Sequence, residues 1–469
     1  MVSLSHHASD QLHPVNVLSV RAWSRGLPTP DTNRTLPSTN RQRRNLLSGV
    51  ARIGLYNRAT VRFADVKEQS IGPLAGIRVV DLSSMLSGPW ATMILADQGA
   101  DVIKVEEPKE GDHTRSLSNR HRGFSAQFLN LNRNKRSITL DLKTGEGRAI
   151  LKRLAATADV LVQNFRPGVV ERLGIDEAAI RAVAPQIVYV SISGFGESGP
   201  YAGKPTYDPI IQALSGLTSV QGGSDAARPR LIRTVLPDKL TAVTAAQAIT
   251  SALVGRLKSG KGQHVRLSML DAVLAFLWAS DMGAQTFVGQ KVDGRTTASF
   301  IDLIYETQNG FMTVAVMTNK EWAALTRALD RPEWLEDERF RTPALRDQNI
   351  DERLAMTQDV LKSRTTEEWL ARLEAEGVPC APVLTRDQVI AHPQVLASGI
   401  LMESEHEAVG RIRQTRAAAR FSETPTNLRF GAPRLGEHNA EILAELGFER
   451  RDIEALQSRG VIGNAAALG

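Results

Sequence analysis

Short apolar runs alternate with amphipathic segments along residues 77–193, and this alternation restricts the folds that the chain can adopt. Runs rich in Val and Ile predict buried strands, and the segments between them predict helices. Strands that alternate with helices form a mostly parallel sheet covered on both faces. The predicted strands, with one further strand beyond the run, are Ile77–Leu82, Asp101–Val105, Ser137–Asp141, Asp159–Gln163, Ile187–Ser193 and His264–Met269. The predicted helices include Trp90–Gln98, Gly145–Thr157, Glu177–Val183 and Lys239–Leu257.

The composition is that of a globular protein, and the net charge is concentrated at one end of the chain. Hydrophobic residues make up 42% and charged residues 23% of the 469 residues. Residues 1–70 hold ten Lys or Arg against four Asp or Glu, whereas residues 71–469 hold 47 of each kind. The basic excess therefore belongs to residues 1–70 and does not predict nucleic-acid binding by the remainder.

Residues 1–70 are predicted to form a basic, disordered extension before the folded part of the chain. The segment is rich in Arg, Ser, Thr, Asn and Pro and has few acids. The same composition is typical of a mitochondrial transit peptide, although no Arg precedes position 21 and Asp10 lies early. We therefore expect a cytoplasmic protein, with the mitochondrial matrix as the alternative if this segment acts as a transit peptide.

The sequence lacks the patterns of several common cofactor-binding and metal-binding sites. The turn after the first predicted strand, Ser83–Pro89, has one glycine and not the G-x-G-x-x-G pattern of a dinucleotide-binding enzyme. The nine His residues show no metal-ligand spacing, and the single Cys380 excludes an internal disulfide and a multi-thiolate metal site. No window approaches the roughly 18 uninterrupted apolar residues of a membrane span. We therefore expect no permanently bound metal or cofactor and no membrane insertion.

Asp238 follows Pro237 at the predicted start of the long helix Lys239–Leu257. Backbone N–H groups and the helix dipole stabilise an anion at this position. Covalent acyl transfer requires a charged and oriented carboxylate as its nucleophile. An Asp at a helix start is more often only a cap, and the local sequence does not separate the two interpretations.

Two further segments have residue types expected in a site for a phosphorylated ligand. The segment 164–168 (NFRPG) follows a predicted strand. There Asn164 could bind a carbonyl or phosphate, Phe165 could stack on adenine, and Arg166 could bind a phosphate. The segment 132–136 (NRNKR) is a basic cluster that could screen phosphates. The ordinary alternatives are a capped turn for the first segment and a solvated sheet edge for the second.

Seven segments together resemble the class III CoA-transferases, also called the CaiB/BaiF family. They occur in the family order over residues 72–446, nearly the whole of the predicted folded chain. The family includes formyl-CoA, carnitine and glutarate CoA-transferases and 2-methylacyl-CoA racemases. The segments are PLAGIRVVDLSSMLSGPWATMILADQGADVIKVEEP, NRNKRSITLDLK, VLVQNFRPGVVERLGID, SISGFGESGPYAGKPTYDPIIQALSG, PDKLTAVTAAQAITSALVGRLKSGKGQ, GVPCAPV and LGEHNAEIL.

The resemblance implies an α/β fold with two domains and a particular assembly. A Rossmann-like large domain with a mostly parallel sheet would comprise residues 71–270 and 386–463, and a smaller α+β domain residues 290–362. Residues 271–289 and 363–385 would be linkers between them. The family also implies an interlocked homodimer, whose two subunits are joined like chain links, and CoA thioesters as substrates.

The resemblance also assigns roles to individual residues. Asp238 occupies the position of the transferase nucleophile, so that helix cap and nucleophile would be one residue. Asn164 and Phe165 match a pair that contacts CoA in relatives. Tyr207 and Asp208 match a pair near the active site of formyl-CoA transferase.

Further residues are candidates for backbone contact with the substrate and for binding of the CoA phosphates. Gly196 and the turn Ser83–Gly88, which includes Ser87, are candidate sources of close backbone contact with substrate and CoA. Relatives often have Arg after the KVE segment, whereas this chain has Glu107. We therefore expect the CoA phosphates to be bound by basic residues elsewhere, namely Arg133, Lys135, Arg136 or Lys143.

Two other differences from members of the family reduce the number of reactions and substrates expected for this chain. Racemases have a catalytic His where this chain has Tyr207. Tyr has a reference pKa near 10 and is a poor base near neutral pH, which disfavours racemization. The glycine-run loop of formyl-CoA transferase is missing near residues 285–300, so oxalate or formate specificity is not expected.

The sequence thus predicts transfer of CoA from an acyl-CoA, with succinyl-CoA as a candidate donor, to a carboxylic acid. The resemblance implies an acyl–aspartyl anhydride and an aspartyl-CoA thioester as intermediates. Arg228 and Arg233, upstream of Asp238, either bind a second carboxylate of the substrate or are ordinary surface residues. The alternatives are a 2-methylacyl-CoA racemase or epimerase and a catalytically silent acyl-CoA-binding protein.

Overall fold

A computed structural model describes residues 71–290 and 303–463, together with the short strand Val61–Arg62. The other residues of the predicted extension, and residues 291–302 at the start of the predicted small domain, lie outside the described residues. The strands are β1 (Val61–Arg62), β2 (Arg78–Asp81), β3 (Asp101–Glu106), β4 (Arg120–His121), β5 (Phe124–Ser125), β6 (Lys135–Thr139), β7 (Val160–Gln163), β8 (Val188–Ser193), β9 (His264–Ser268), β10 (Ile304–Glu306), β11 (Phe311–Val314), β12 (Cys380–Pro382), β13 (Leu401–His406) and β14 (Gly410–Thr415). The helices are α1 (Ser87–Asp97), α2 (Ala126–Asn132), α3 (Gly145–Ala155), α4 (Val169–Leu173), α5 (Glu177–Arg181), α6 (Asp208–Leu214), α7 (Leu217–Gly222), α8 (Leu236–Ser259), α9 (Met269–Trp278), α10 (Gly283–Thr286), α11 (Asn319–Ala328), α12 (Pro343–Gln348), α13 (Ile350–Leu361), α14 (Thr366–Ala375), α15 (Arg386–Ala391), α16 (Pro393–Ser398), α17 (Asn439–Glu445) and α18 (Arg450–Ser458).

Six parallel strands form the central sheet in the order β6-β3-β2-β7-β8-β9. Counted along the chain from β2, this is the 3-2-1-4-5-6 order of a doubly wound nucleotide-binding sheet. The winding reverses between β2 and β7, and such sheets bind ligands at the carboxyl ends of the strands at this point. The predicted parallel sheet is confirmed, and its topology singles out the turns after β2 and β7.

The central sheet is buried on both faces, which explains the continuous apolar sequences of its strands. Adjacent side chains of a strand point to opposite faces. Val79 and Val190 therefore pack with α1 and α8 in one core. Val80 and Leu161 pack with α3, α17 and α18 in the other. The returning segment 386–463 thus supplies two helices to the core of the central sheet.

Helix α8 packs against α1 and the sheet through a face of small residues that includes Ala242, Ala245 and Ala252. By length and composition this helix is long and apolar enough to cross a membrane. Its apolar character is explained here by its packing in the core. The helix begins at Leu236, before the predicted start, because the Pro at its second position needs no N–H partner in the first turn.

A second, smaller group of elements surrounds the antiparallel sheet β10-β11-β12. Its core includes Trp322, Phe340 and Trp369 from the helices and turns that follow β11. Strand β12 and helix α14 lie within residues 363–385, so this predicted linker is a structured part of the smaller group. Helices α9 and α10 likewise lie in the predicted linker 271–289. The predicted domain boundaries otherwise stay a prediction.

The location of the central core predicts a contrast between two identical substitutions. Leu151 of α3 is fully buried, so Leu151→Ala should lower the free energy of unfolding by about 2–5 kcal/mol. Leu257 of α8 is 81% exposed, and Leu257→Ala should change it by less than about 0.5 kcal/mol. Equilibrium denaturant unfolding measures both values. Equal effects would contradict this assignment of core and surface.

Candidate active site

Asp238 is the third residue of α8, within the first turn of the helix. The N-cap residue is Val235, whose side chain forms no hydrogen bond with the first turn of the helix. The prediction that helix cap and nucleophile are one residue is therefore wrong, because the helix begins two residues before Asp238. The first turn still places this carboxylate near the positive end of the helix dipole.

Asp208, the first residue of α6, supplies an acceptor that the start of α8 needs. Its Oδ2 accepts a hydrogen bond from the backbone N–H of Asp238 at 3.2 Å, and its Oδ1 accepts one from Gln212 Nε2 at 2.7 Å. Asp208 is only 3% exposed. Because the first N–H groups of a helix have no partner within that helix, Asp208 acts as a cap from another helix. This bond brings two carboxylates together.

Burial and the neighbouring carboxylate of Asp208 change the protonation of Asp238. Burial raises the pKa of Asp238 to about 6, and the charge of Asp208 adds to this increase. Burial also raises the pKa of Asp208. The hydrogen bonds that Asp208 accepts from Gln212 and from the backbone N–H of Asp238 oppose this increase in its pKa. At neutral pH Asp238 remains mainly ionised yet is more basic than an ordinary Asp, which favours nucleophilic attack.

Ser87 contacts the same carboxylate from the start of α1. Its hydroxyl and its backbone N–H donate hydrogen bonds to Asp238, and both lower the pKa of that group against the effect of burial. Ser87 is the first residue of α1 and is 4% exposed. The positive ends of two helices thus face one carboxylate. The structure places Ser87, predicted to bind CoA, against the candidate nucleophile.

Asn164 fixes the turn after β2 from the end of β7. Its Oδ1 accepts a hydrogen bond from the N–H of Ser84 at 2.9 Å, and its Nδ2 donates to the carbonyl of Ser84 at 2.8 Å. The amide predicted to contact CoA is therefore bonded to the backbone of the turn. Since the turn leads directly into α1, Asn164 helps to position Ser87.

A buried ion pair also contacts the turn after β2. Lys104 of β3 donates to the carbonyl of Ser83 at 2.9 Å and pairs with Asp112 at 2.9 Å. The other carboxylate oxygen of Asp112 accepts the N–H of Met85 at 3.2 Å. Met85 has a φ of 68°, in the left-handed region that a non-glycine residue rarely adopts. The ion pair and its hydrogen bonds therefore hold a strained turn in place.

The fold itself uses three of the four basic residues predicted to bind the CoA phosphates. Arg133 and Lys135 are buried in ion pairs with core aspartates, at 2.6 Å and 2.9 Å. Arg136 pairs with carboxylates of β3 and α17. Buried charges require such partners, so these three residues are not available to a phosphate. Only Lys143 of the four is exposed.

Lys143 lines a cavity of about 500 Å³ at the carboxyl ends of β2, β3 and β6. Phe165, Arg172 and Glu107 line the same cavity. An aromatic ring and two basic side chains suit a phosphorylated ligand. Arg172 was missed in the sequence, although it lies in the short helix directly after the NFRPG segment. Phe165 also lines a second cavity of about 390 Å³, together with the exposed Arg166.

Tyr207 and Gly196 are two further residues that the sequence places near the substrate. Tyr207 precedes Asp208 in the sequence, but it is 64% exposed. Gly196 has a φ of 89°, and a Cβ atom there would meet no atom within 4 Å. Backbone conformation therefore explains this glycine, and its predicted approach to the substrate stays a prediction. Among the described residues, no group of His, Cys, Asp and Glu side chains is arranged to hold a metal ion.

Comparison with known proteins identifies the chemistry of this site. The model of CoA-transferase family III matches residues 74–439. The chain belongs to CoA-transferase family III. It is 36% identical over 401 residues to succinyl-CoA:glutarate CoA-transferase of Homo sapiens, covering 84% of this chain and 90% of that protein. It is 35% identical over 390 residues to succinate–glutarate CoA-transferase of Agrobacterium fabrum, covering 80% and 96%.

A solved structure agrees with this assignment. The crystal structure of a CaiB/BaiF family protein from Brucella suis matches with a TM-score of 0.69 at 34% identity, covering 80% of this chain and 100% of that chain. The family resemblance found in the sequence is confirmed. The protein is a CoA-transferase that moves CoA between an acyl-CoA and an acid.

The raised pKa of Asp238 predicts an effect on stability. Because its pKa in the folded protein lies above the ordinary 3.8, the fold favours the protonated form. The stability that protonation contributes is present below about pH 4 and is lost as the pH rises through about 6. Asp238→Asn resembles the protonated carboxyl group. It should therefore raise the free energy of unfolding by roughly 1–3 kcal/mol at pH 8 and change it little at pH 4.

Denaturant unfolding of wild type and Asp238→Asn at the two pH values measures this difference. Asp271 is a matched control, because it is the third residue of α9 and is exposed. Asp271→Asn should not stabilise the protein at pH 8. A less stable Asp238→Asn variant at pH 8 would contradict the destabilising role of the ionised carboxylate.

Proposed function

We propose that the enzyme transfers CoA from succinyl-CoA to a dicarboxylic acid and that Asp238 is the covalent nucleophile. The observation that supports this role is the arrangement around one carboxylate, with Ser87 at the start of α1 and Asp208 at the start of α6. The choice of substrates is supported by the human and Agrobacterium relatives, which are named for succinyl-CoA or succinate and for glutarate.

In the first half-reaction, a carboxylate oxygen of Asp238 attacks the thioester carbonyl of the donor. The C–S bond breaks, CoA leaves as a thiolate, and a mixed anhydride with Asp238 remains. The thiolate then attacks the aspartyl carbonyl, which releases the donor acid and forms an aspartyl-CoA thioester. The acceptor carboxylate attacks this thioester, its C–S bond breaks, and CoA leaves as a thiolate from a second mixed anhydride. The thiolate then attacks the acceptor carbonyl, and the bond from that carbonyl to the Asp238 oxygen breaks. The new acyl-CoA leaves and the Asp238 carboxylate returns.

The side chains around Asp238 have opposite effects on its two states. The ionised carboxylate is destabilised by burial and by Asp208, and acylation removes both penalties because the anhydride is neutral. The hydroxyl and N–H of Ser87 stabilise the carboxylate that returns when the new acyl-CoA is formed. No step changes the number of acyl bonds, so the exchange needs no ATP.

We also propose that the working form is the homodimer implied by the family. Large apolar side chains are exposed on helices α8 and α9, including Val243, Val254, Phe276 and Trp278. Apolar surface of this kind is usually covered by a partner. Light scattering on the purified protein should give twice the chain mass of 51.2 kDa. A monomeric mass would contradict the dimer without affecting the assignment of Asp238.

Removal of the nucleophile should abolish exchange. Asp238→Asn should lower the rate of CoA exchange at least about a thousand-fold, because no covalent intermediate can form. Hydroxylamine treatment during turnover, followed by peptide mass mapping, should modify Asp238 in the wild type and give no adduct at this position in Asp238→Asn. Asp271→Asn should retain both exchange and the adduct. Undiminished exchange by Asp238→Asn would contradict the proposed role.

The pH dependence of kcat/KM should follow the protonation of Asp238 and respond to the charge of Asp208. The value of kcat/KM should fall as the pH decreases through about 6, because protonated Asp238 is not a nucleophile. Asp208→Asn removes a neighbouring negative charge and keeps an oxygen acceptor for the N–H of Asp238. The inflection should therefore move to lower pH. Profiles from pH 4.5 to 8 test this, and an unchanged or higher inflection would show that Asp208 does not set the pKa of Asp238.

A further inference from the structure

Three arginines lie on the loop that connects α7 to α8, residues 223–235. Arg228, Arg230 and Arg233 are exposed, and none forms an ion pair within the part of the chain that the structure describes. The only acid of the loop, Asp225, is exposed and is not paired with them. The loop leads directly into the helix of Asp238. It therefore places unneutralised positive charge next to the nucleophile's helix.

Gln212 fixes this loop against the carboxylate pair. Its Nε2 donates to Asp208 Oδ1 at 2.7 Å and lies 3.3 Å from the carbonyl oxygens of both Ile232 and Thr234. Its Oε1 accepts the N–H of Ile232 at 2.9 Å. Since one nitrogen atom contacts all three oxygens, the backbone on both sides of Arg233 lies within two hydrogen-bond lengths of Asp208. An arginine side chain is long enough to extend from there across the carboxylate pair.

The other end of the loop is fixed on α7. The N–H of Arg230 donates to the carbonyl of Thr218 at 2.9 Å. Gly222 allows a close approach, because a Cβ atom there would lie 2.9 Å from the carbonyl oxygen of Arg228. The backbone of all three arginines is thus held by α6 or α7, while their guanidinium groups have no partner among the residues that the structure describes. A fixed backbone with free charged groups is expected of a binding loop.

The charges around Asp238 make this loop important for an acidic substrate. Asp208 and Asp238 repel any second carboxylate that enters the site with the reacting group. A guanidinium group binds a carboxylate through two parallel N–H···O bonds and offsets that repulsion. In a short dicarboxylic acid, the second carboxylate lies only a few bonds from the first. Lys239 lowers the pKa of Asp208 and donates a hydrogen bond to Thr234. Among the three loop arginines, Arg233 lies between the two residues that Gln212 contacts.

We propose that Arg233, assisted by Arg228 and Arg230 of the same loop, binds the distal carboxylate of the substrate and selects dicarboxylic over monocarboxylic acids. The inference rests on the proposed transfer reaction at Asp238. It adds a recognition site in which Gln212 joins the loop of residues 223–235 to Asp208, the carboxylate beside the nucleophile.

Glutarate and pentanoate form a suitable pair of acceptors, because they have the same chain length and differ only in the distal carboxylate. At saturating succinyl-CoA, the wild type should have a lower KM for glutarate than for pentanoate. Arg233→Met should raise the KM for glutarate about ten-fold or more and leave kcat and the KM for pentanoate nearly unchanged. Arg233→Lys keeps the charge without the planar fork and should give an intermediate KM.

Arg386 provides the matched control, since it is exposed and without an ion pair among the described residues. Arg386→Met should behave as the wild type with both acceptors. Arg228→Met, Arg230→Met and the triple variant should show how much each loop arginine contributes. Equal increases of both KM values in Arg233→Met would indicate a structural role for the loop and overturn the proposal. An unchanged KM for glutarate in the triple variant would also overturn it.

The two hypotheses fail in different ways. If exchange and the Asp238 adduct are present but pentanoate is used as well as glutarate, the arginine site is wrong and the transfer mechanism stands. If no donor gives exchange or an adduct, the proposed function is wrong. Calorimetric titration of glutarate and pentanoate into wild type and Arg233→Met then tests the arginines without turnover. Binding of glutarate that Arg233→Met does not weaken would overturn the proposal.

Discussion

The hydrogen bond from the backbone N–H of Asp238 to the carboxylate of Asp208 determines the geometry of the site. It satisfies the start of α8, and it places two carboxylates where their charges repel. The hydrogen bonds from Ser87 at the start of α1 offset part of that repulsion. The same Asp208 carboxylate accepts the amide of Gln212, which fixes the loop before α8. The start of α8, with Asp238, and the loop before it are therefore both tied to the carboxylate of Asp208.

The doubly wound topology explains why these groups meet. The turns after β2 and β7 lie side by side where the winding of the sheet reverses, and Asn164 joins them through the backbone of Ser84. Beneath this junction, Lys104 and Asp112 hold the left-handed Met85. The buried charges do not need to stabilise the protein more than an apolar core would. Their physical effect is to fix the path of the chain into α1.

The sequence predicted the parallel sheet well, because strands buried on both faces have continuous apolar runs that differ from amphipathic helices. It located Asp238 through the order of the family segments. It failed where the answer depends on a partner distant in the chain. The charges of Arg133 and Lys135 are visible in the sequence, but their core aspartates are not identifiable without the fold. The contact of Ser87 with Asp238 likewise depends on the packing of two helices far apart in the sequence.

The small residues between α1 and α8 have a consequence for how this enzyme can change over evolutionary time. Ala91 and Ala96 of α1 face the same core as Ala242 and Ala245 of α8. Their small volume sets the separation of the two helix axes, and with it the gap between the nucleophile and its hydrogen-bond donor. A larger aliphatic residue here would leave a folded chain in which Asp238 is displaced from Ser87. Selection on this part of the interior therefore acts through turnover as well as through folding.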